Sequence, residues 1–143
     1  MKTSDIVELR DLLKLSRAQL LERIGRSDDD VEDGSAYQSL EGLSAVRRSE
    51  RPAVDIYLDG ERVVMIAVSS PDITPAALHR LVAPGATELP SRQGKSAVIT
   101  VDAKAGLAFS AEDDDVGFLE IFPPTTDDDY RSRIYWDPGA FTK

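Results

Sequence analysis

Cysteine is absent from this chain of 143 residues, and histidine occurs only once, as His79. The absence of thiols excludes disulfide bonds, cysteine nucleophiles and thiolate metal sites. No serine or cysteine nucleophile accompanies His79 in a recognisable motif, so this residue is interpreted as a helix-surface side chain. No apolar run approaches the length of a membrane span. These absences favour a protein with no catalytic residues, no bound metal and no cofactor.

Positive charge is scarce, because 17 Lys and Arg residues stand against 26 Asp and Glu residues, for a net charge of -9. Such a surface repels nucleic acid and anionic lipid, and it attracts basic partners. Many cytosolic proteins are acidic for solubility alone, and this interpretation stays open beside the first. The length, the composition and a charged N-terminus unlike a signal peptide predict one cytoplasmic domain over residues 1–143.

Two helices are predicted near the N-terminus. Ser4 or Asp5 is expected to cap the first helix, whose apolar residues recur at helical spacing. Ser16 and Gln19 fit a capping box for the second helix, since each side chain can bond to the backbone amide of the other. Gly25 then falls where a left-handed residue commonly ends a helix.

Residues 26–50 show little periodicity, and residues 27–34 are predicted to form a charged loop. Tyr37, Leu40 and Leu43 are expected to form a short turn of helix or to dock onto the core. A calcium-binding loop was tested against the acidic residues that precede Gly34, but Leu40 occupies the closing acidic position. The calcium-loop hypothesis is therefore rejected.

The remaining chain is predicted to alternate between strands and one helix. Asp59-Gly60 is a strong hairpin signal between strands at residues 53–58 and 61–68. A third helix is capped by Thr74 and begins at Pro75, and residues 86–94 form a loop. Three further strands are predicted at residues 96–101, 107–111 and 116–122. Glu120 shares a face of the last strand with two phenylalanines, so this face is not expected to be fully buried.

Two stretches of the chain share an outline of helix, apolar hairpin and closing proline. This similarity predicts a tandem helix-plus-hairpin repeat over residues 4–71 and 72–124, followed by a tail at residues 125–143. The expected fold class is α+β, with an antiparallel β-sheet and helices packed on one face.

Acidic residues at the predicted turns and in the tail are the main candidates for a binding surface. A solvated turn is the ordinary interpretation of such a charge run, and a contact surface for Arg or Lys of a partner is the functional one. The candidate partner-binding residues are Asp59, Glu61, Glu112, Asp113, Asp114, Asp115, Asp127, Asp128, Asp129 and Tyr135.

Aromatic residues and arginines concentrate in the tail, and these residue types dominate many protein interfaces. Trp136 is interpreted as a clamp onto the core, whereas the role of Tyr135 stays open. Arg92-Gln-Gly-Lys95 lacks the second glycine of a phosphate-binding loop. No basic stripe or aromatic platform supports binding to nucleic acid.

The tail motifs Leu119-Glu-Ile-Phe-Pro-Pro and Ile134-Tyr-Trp-Asp-Pro-Gly-Ala-Phe resemble small bacterial proteins associated with polymorphic or type VI-secreted toxins. The helix-plus-hairpin duplication resembles the layout of β-lactamase-inhibitor-protein-like folds. These resemblances imply an immunity protein, which binds a cognate toxin and blocks it without catalysis. They transfer no site residues, since specificity in such inhibitors lies in a partner-matched surface.

Two other functions remain as hypotheses. An acidic secretion chaperone for an effector fits the size and charge, although residues 125–143 are too rich in Pro and Asp for an amphipathic dimer helix. An enzyme that uses clustered carboxylates and a divalent metal is the third hypothesis. The sequence does not specify the oligomeric state.

Overall fold

The computed structural model describes residues 1–91 and 96–138. The motif Arg92-Gln-Gly-Lys95 and the last residues of the tail lie outside this range. In the described part, the helices are α1 (Thr3–Asp11), α2 (Arg17–Ile24), α3 (Pro75–His79) and α4 (Asp127–Asp129), and α4 continues into a π-helical turn at Tyr130–Ile134. The strands are β1 (Glu32–Tyr37), β2 (Leu40–Glu50), β3 (Ala53–Asp59), β4 (Arg62–Ser69), β5 (Thr87–Pro90), β6 (Val98–Asp102), β7 (Leu107–Glu112) and β8 (Asp115–Ile121).

All eight strands join one antiparallel sheet in the order β1-β2-β3-β4-β8-β7-β6-β5. Strands β1 to β4 form one meander and β5 to β8 form a second, and the two meet where β4 pairs with β8. This arrangement confirms the predicted α+β class and the antiparallel sheet. A helical segment precedes each meander, but a duplicated origin of the two halves stays a prediction.

The sequence-based assignment is wrong at β1, β2 and β5. Residues 26–50 contain two strands where none was predicted, and part of the predicted 86–94 loop is β5. Tyr37, Leu40 and Leu43 form no turn of helix, but they do pack onto the core, the other alternative. Strand β1 is largely exposed, and its pairing with β2 shifts register twice, so no regular alternation of apolar and polar residues marks it. Gly34 and Gly42 adopt left-handed conformations inside these strands, which also weakens the strand signal.

The predicted cap is confirmed for the second helix and is wrong for the first. Ser16 accepts a hydrogen bond from the Gln19 amide at 3.3 Å, and the Gln19 side chain accepts one from the Ser16 amide at 3.0 Å. Gly25 ends α2 with φ of 70°. These features confirm the capping box and the glycine stop. The first helix begins earlier than predicted, because Lys2 occupies the cap position and its amide donates to Asp5.

The sheet has a core on each face. On one face, α1, α2 and α3 cover the inward residues of the central strands, including Ile56, Ile66 and Leu119. On the other face, the π-helical turn supplies Tyr130 and Ile134, which are both fully buried. The predicted helices thus share one face, and the tail adds a helical cover on the opposite one.

The sheet curves around this C-terminal cover. Strand β1 lies four positions from β8 in the sheet, a separation of roughly 19 Å if the sheet were flat. The Tyr37 hydroxyl of β1 nevertheless donates a hydrogen bond of 2.6 Å to Glu120 of β8. A flat sheet cannot bring these side chains together, so β1 must fold over the face that carries the tail.

Candidate functional site

Four consecutive acidic residues form the turn between β7 and β8. We name Glu112, Asp113, Asp114 and Asp115 the acidic turn. All four are exposed, and none of their side chains forms a hydrogen bond or ion pair within the described residues. Asp113 adopts φ of 55°, a left-handed conformation that Asp tolerates better than most residues. The hairpin geometry therefore presents a group of carboxylates to solvent.

The β3–β4 turn places Asp59 and Glu61 far from the acidic turn. Strands β4 and β8 are antiparallel, and their register pairs Ile66 with Ile121 and Ser69 with Phe118. The turn before β4 consequently lies at one end of the sheet, whereas the turn before β8 lies at the other. The candidate residues of the two hairpins do not form one continuous surface.

The acidic residues of α4 differ from those of the hairpin turns, since two of them hold the fold. Asp127 accepts a hydrogen bond of 2.8 Å from the Thr87 hydroxyl. Asp129 forms an ion pair of 2.9 Å with Arg133, which, with a hydrogen bond from Thr125, lowers the pKa of this carboxyl. Asp128 is exposed and has no side-chain partner in the described residues.

Tyr135 lies mostly inside the second core. Only 9% of the residue is exposed, and its hydroxyl donates a hydrogen bond of 2.6 Å to the carbonyl oxygen of Pro90. Its own carbonyl accepts a hydrogen bond of 2.9 Å from Ser39. Tyr135 therefore has little surface available to a partner, and its side chain serves to anchor the tail.

Glu120 is the buried carboxylate that sequence reasoning missed. The prediction that its face would not be fully buried is wrong at this position, because Glu120 is 0% exposed. Its carboxylate accepts hydrogen bonds from the Tyr37 hydroxyl at 2.6 Å, from the Tyr130 hydroxyl at 2.5 Å and from the Gln38 side-chain amide. The Gln38 side chain also accepts from the backbone amide of Trp136 at 3.0 Å. We name Tyr37, Gln38, Glu120 and Tyr130 the Glu120 cluster.

The tyrosines of the Glu120 cluster remain protonated donors over a wide pH range. Burial raises the pKa of Tyr37 and of Tyr130 well above the ordinary value, and the neighbouring Glu120 raises both further. The cluster joins β1, β8 and the tail through hydrogen bonds between buried or half-buried groups. Its geometry therefore fits a role in holding these three parts of the chain together.

His79 is exposed, and its ring meets the buried ring of Phe109 edge to face at 5.0 Å. Within residues 1–91 and 96–138, no group of three or more His, Cys, Asp or Glu side chains is arranged to hold a metal ion.

Among these same residues, no helix combines the length and the apolar character that crossing a membrane requires.

Comparison with known proteins gives this chain no relatives. No protein-family model matches it, and neither the curated proteins nor the solved structures contain a match.

Proposed function

We propose that this chain is a non-enzymatic binding protein of the immunity type, which neutralises a cognate bacterial toxin by direct contact through an acidic surface. The observation that carries the proposal is the acidic turn, whose four carboxylates face solvent without a partner in the described part of the chain. Desolvating them against Arg or Lys of a toxin would form charge-assisted hydrogen bonds.

The hairpin that carries the acidic turn is well suited to binding without a large entropic cost. Its strands pair from Leu107 with Ile121 to Glu112 with Asp115, with one register shift between Ser110 and Ala111, so strand pairing reaches both ends of the turn. A preordered loop loses less conformational freedom on association than a flexible one. The net charge of -9 adds long-range attraction toward a basic surface, which raises the association rate.

The experiment measures binding and inhibition with the protein encoded next to this chain, produced together and then purified. Stopped-flow association should be fast at low salt and should slow as salt is added, because acidic steering is screened over about 8 Å at physiological ionic strength. The double variant Asp113→Asn/Asp114→Asn should bind at least about tenfold more weakly, the loss expected for charged hydrogen bonds.

The matched control is Asp59→Asn/Glu61→Gln, which removes the same charge at the other end of the sheet. Equal losses in the two variants would mean that net charge rather than the acidic turn governs binding. A salt-independent association rate would contradict steering. A neighbouring protein that binds but keeps its toxic activity would indicate a carrier such as a secretion chaperone, and the immunity proposal would then be wrong.

A further inference from the structure

The sheet opens into a groove where β4 and β8 separate. The two strands pair only from Ile66 to Ser69 on β4, and beyond Ile121 the chain enters Pro123 and Pro124. Proline has no amide hydrogen to continue a ladder, so the first residues of β4 have no β8 partner, and Arg62 instead forms an isolated β-bridge with Ser16. The α1–α2 junction faces this opening, and a cleft of about 650 Å³ lies between them.

The walls of the groove are mainly apolar, and its rim is basic. Leu13, Leu15, Val63, Pro123 and Pro124 supply the apolar surface. Three cationic side chains, Arg10, Lys14 and Arg62, line the same cleft, and Glu61 is the one carboxylate among its lining residues. A cleft of this size with apolar walls and a few polar groups has the usual composition of a binding site.

The cationic side chains of the groove have little compensation from the protein. Arg10 forms no side-chain hydrogen bond or ion pair within the described residues, and its Nε atom is buried without an acceptor. Lys14 approaches Asp11 only at 4.0 Å, and both side chains are well exposed, so this pair contributes little. Arg62 likewise has no side-chain partner in the described part of the chain.

We infer that this groove binds a peptide segment of a partner protein in which a carboxylate lies next to apolar side chains. The carboxylate would pair with Arg10 and Arg62, and the apolar side chains would cover the prolines and Leu13, because Val63 is already buried. A peptide segment fits because the cleft has room for several side chains, and it would lie across the groove rather than add to β4, since Ser16 already forms a β-bridge with Arg62 at this edge. In a chain of net charge -9, a local excess of cations marks a site for ligands of opposite charge.

This inference does not depend on the proposed function. The groove lies at the end of the sheet that holds the β3–β4 turn, opposite the acidic turn. A toxin bound at the acidic turn would therefore leave the groove accessible. Variants of the two sites can be tested separately, so failure of one proposal is distinguishable from failure of the other.

The test selects ligands for the full chain from a phage-displayed library of random linear peptides. Enriched peptides are then synthesised with a fluorescent label, and their affinities are measured by anisotropy. We expect the enriched sequences to place Asp or Glu beside an apolar residue. The variant Arg10→Gln/Arg62→Gln should weaken binding at least about tenfold, because it removes both charged donors. Amide signals of Leu13 and Val63 should shift when the peptide is added in nuclear magnetic resonance spectra.

The matched control is Arg80→Gln/Arg131→Gln, which removes the same charge from exposed positions that do not line the groove. It should bind as the wild type does, and thermal melting should show that all variants are folded. Failure to enrich any peptide, enrichment of peptides without carboxylates, or equal affinity of the groove variant and the control would each overturn the inference. Asp113→Asn/Asp114→Asn should leave peptide binding unchanged.

Discussion

The two ends of β8 use carboxylates in opposite ways. Before the strand, the four residues of the acidic turn have no side-chain partner in the described part of the chain. Within the strand and after it, Glu120 accepts hydrogen bonds from Tyr37 and Tyr130, Asp127 accepts one from Thr87 of β5, and Asp129 pairs with Arg133 inside the tail. The same residue types are thus free for a partner at one end, and at the other end Glu120 and Asp127 hold the tail, residues 122–138, on the sheet.

This contrast shows why acidity alone does not locate a binding surface. A buried carboxylate must be compensated inside the fold, since an unsatisfied buried acceptor costs roughly 1–3 kcal/mol. An exposed carboxylate in a turn makes almost no difference to folding, so it is free to serve another purpose. Changes near the tail should therefore affect stability strongly, and changes at the acidic turn should affect it least.

The largest expected effect comes from Gly106, which lies in the turn between β6 and β7 beside the start of the tail. Its φ is +68°, and its carbonyl accepts a hydrogen bond of 3.0 Å from the Phe122 amide. A Cβ atom at this position would lie 2.1 Å from the carbonyl oxygen of Phe122. Gly106→Ala should lower the free energy of unfolding by roughly 3 kcal/mol, because backbone strain and the backbone clash add. Urea denaturation measures this loss.

Gly25→Ala is the matched control, because Gly25 has a similar φ of +70° but open space around it. This variant should lose only about 1 kcal/mol, the cost of the left-handed conformation alone. Equal losses at the two glycines would show that Gly106 does not hold the tail through a close approach to Phe122.

The next effect concerns the Glu120 cluster. Tyr130→Phe keeps the buried ring, which packs against Phe122 at 5.4 Å, but removes the hydroxyl that donates to Glu120. The free energy of unfolding should fall by about 2 kcal/mol near neutral pH, since a buried acceptor loses a donor. Tyr57→Phe is a suitable comparison, because Tyr57 is half-buried and no described residue accepts a hydrogen bond from its hydroxyl. Tyr57→Phe should lower the free energy of unfolding much less than Tyr130→Phe does.

The same variant has a pH dependence of defined sign. The pKa of Tyr130 is raised above 10.0 in the folded state, chiefly by burial. Its stabilising contribution is therefore complete below pH 10 and decreases above it, as the unfolded chain releases the proton first. The difference between wild type and Tyr130→Phe should shrink by about 1.4 kcal/mol per pH unit above pH 10. A difference that stays constant up to pH 11 would contradict the raised pKa of Tyr130 and hence its burial as a neutral hydroxyl.

The sequence identifies local signals well and long-range ones poorly. Asp59-Gly60 and the Ser16–Gln19 capping box act within a few residues. The structure has the capping box where it was predicted, and the β3–β4 hairpin with its turn one residue later, at Gly60 and Glu61. The burial of Glu120 depends on Tyr37, which lies 83 positions earlier in the chain. No pattern around Glu120 reports that β1 curves over it, and alternation with two phenylalanines suggested only a half-exposed face.

Strand β1 was missed for a related reason. Its residues Glu32, Asp33 and Gly34 are all exposed, so the sequence of β1 does not alternate between apolar and polar residues. Its place in the sheet comes from pairing with β2, and the irregular register of that pair is typical of an edge strand. The acidic turn was identified from local sequence, whereas the groove beside Pro123 and Pro124 needs three distant segments to be assembled.

The smallest expected effect is the stability change at the acidic turn. Asp113→Asn/Asp114→Asn removes two neighbouring negative charges, and Asn tolerates the left-handed conformation of Asp113 as well as Asp does. The free energy of unfolding should change by less than about 0.5 kcal/mol, with a slight gain from reduced repulsion at low salt. A loss above about 1 kcal/mol, measured by urea denaturation, would show that these carboxylates hold the fold as Glu120 does. The division between the two ends of β8 would then be wrong, and with it the reason to regard the acidic turn as free for a partner.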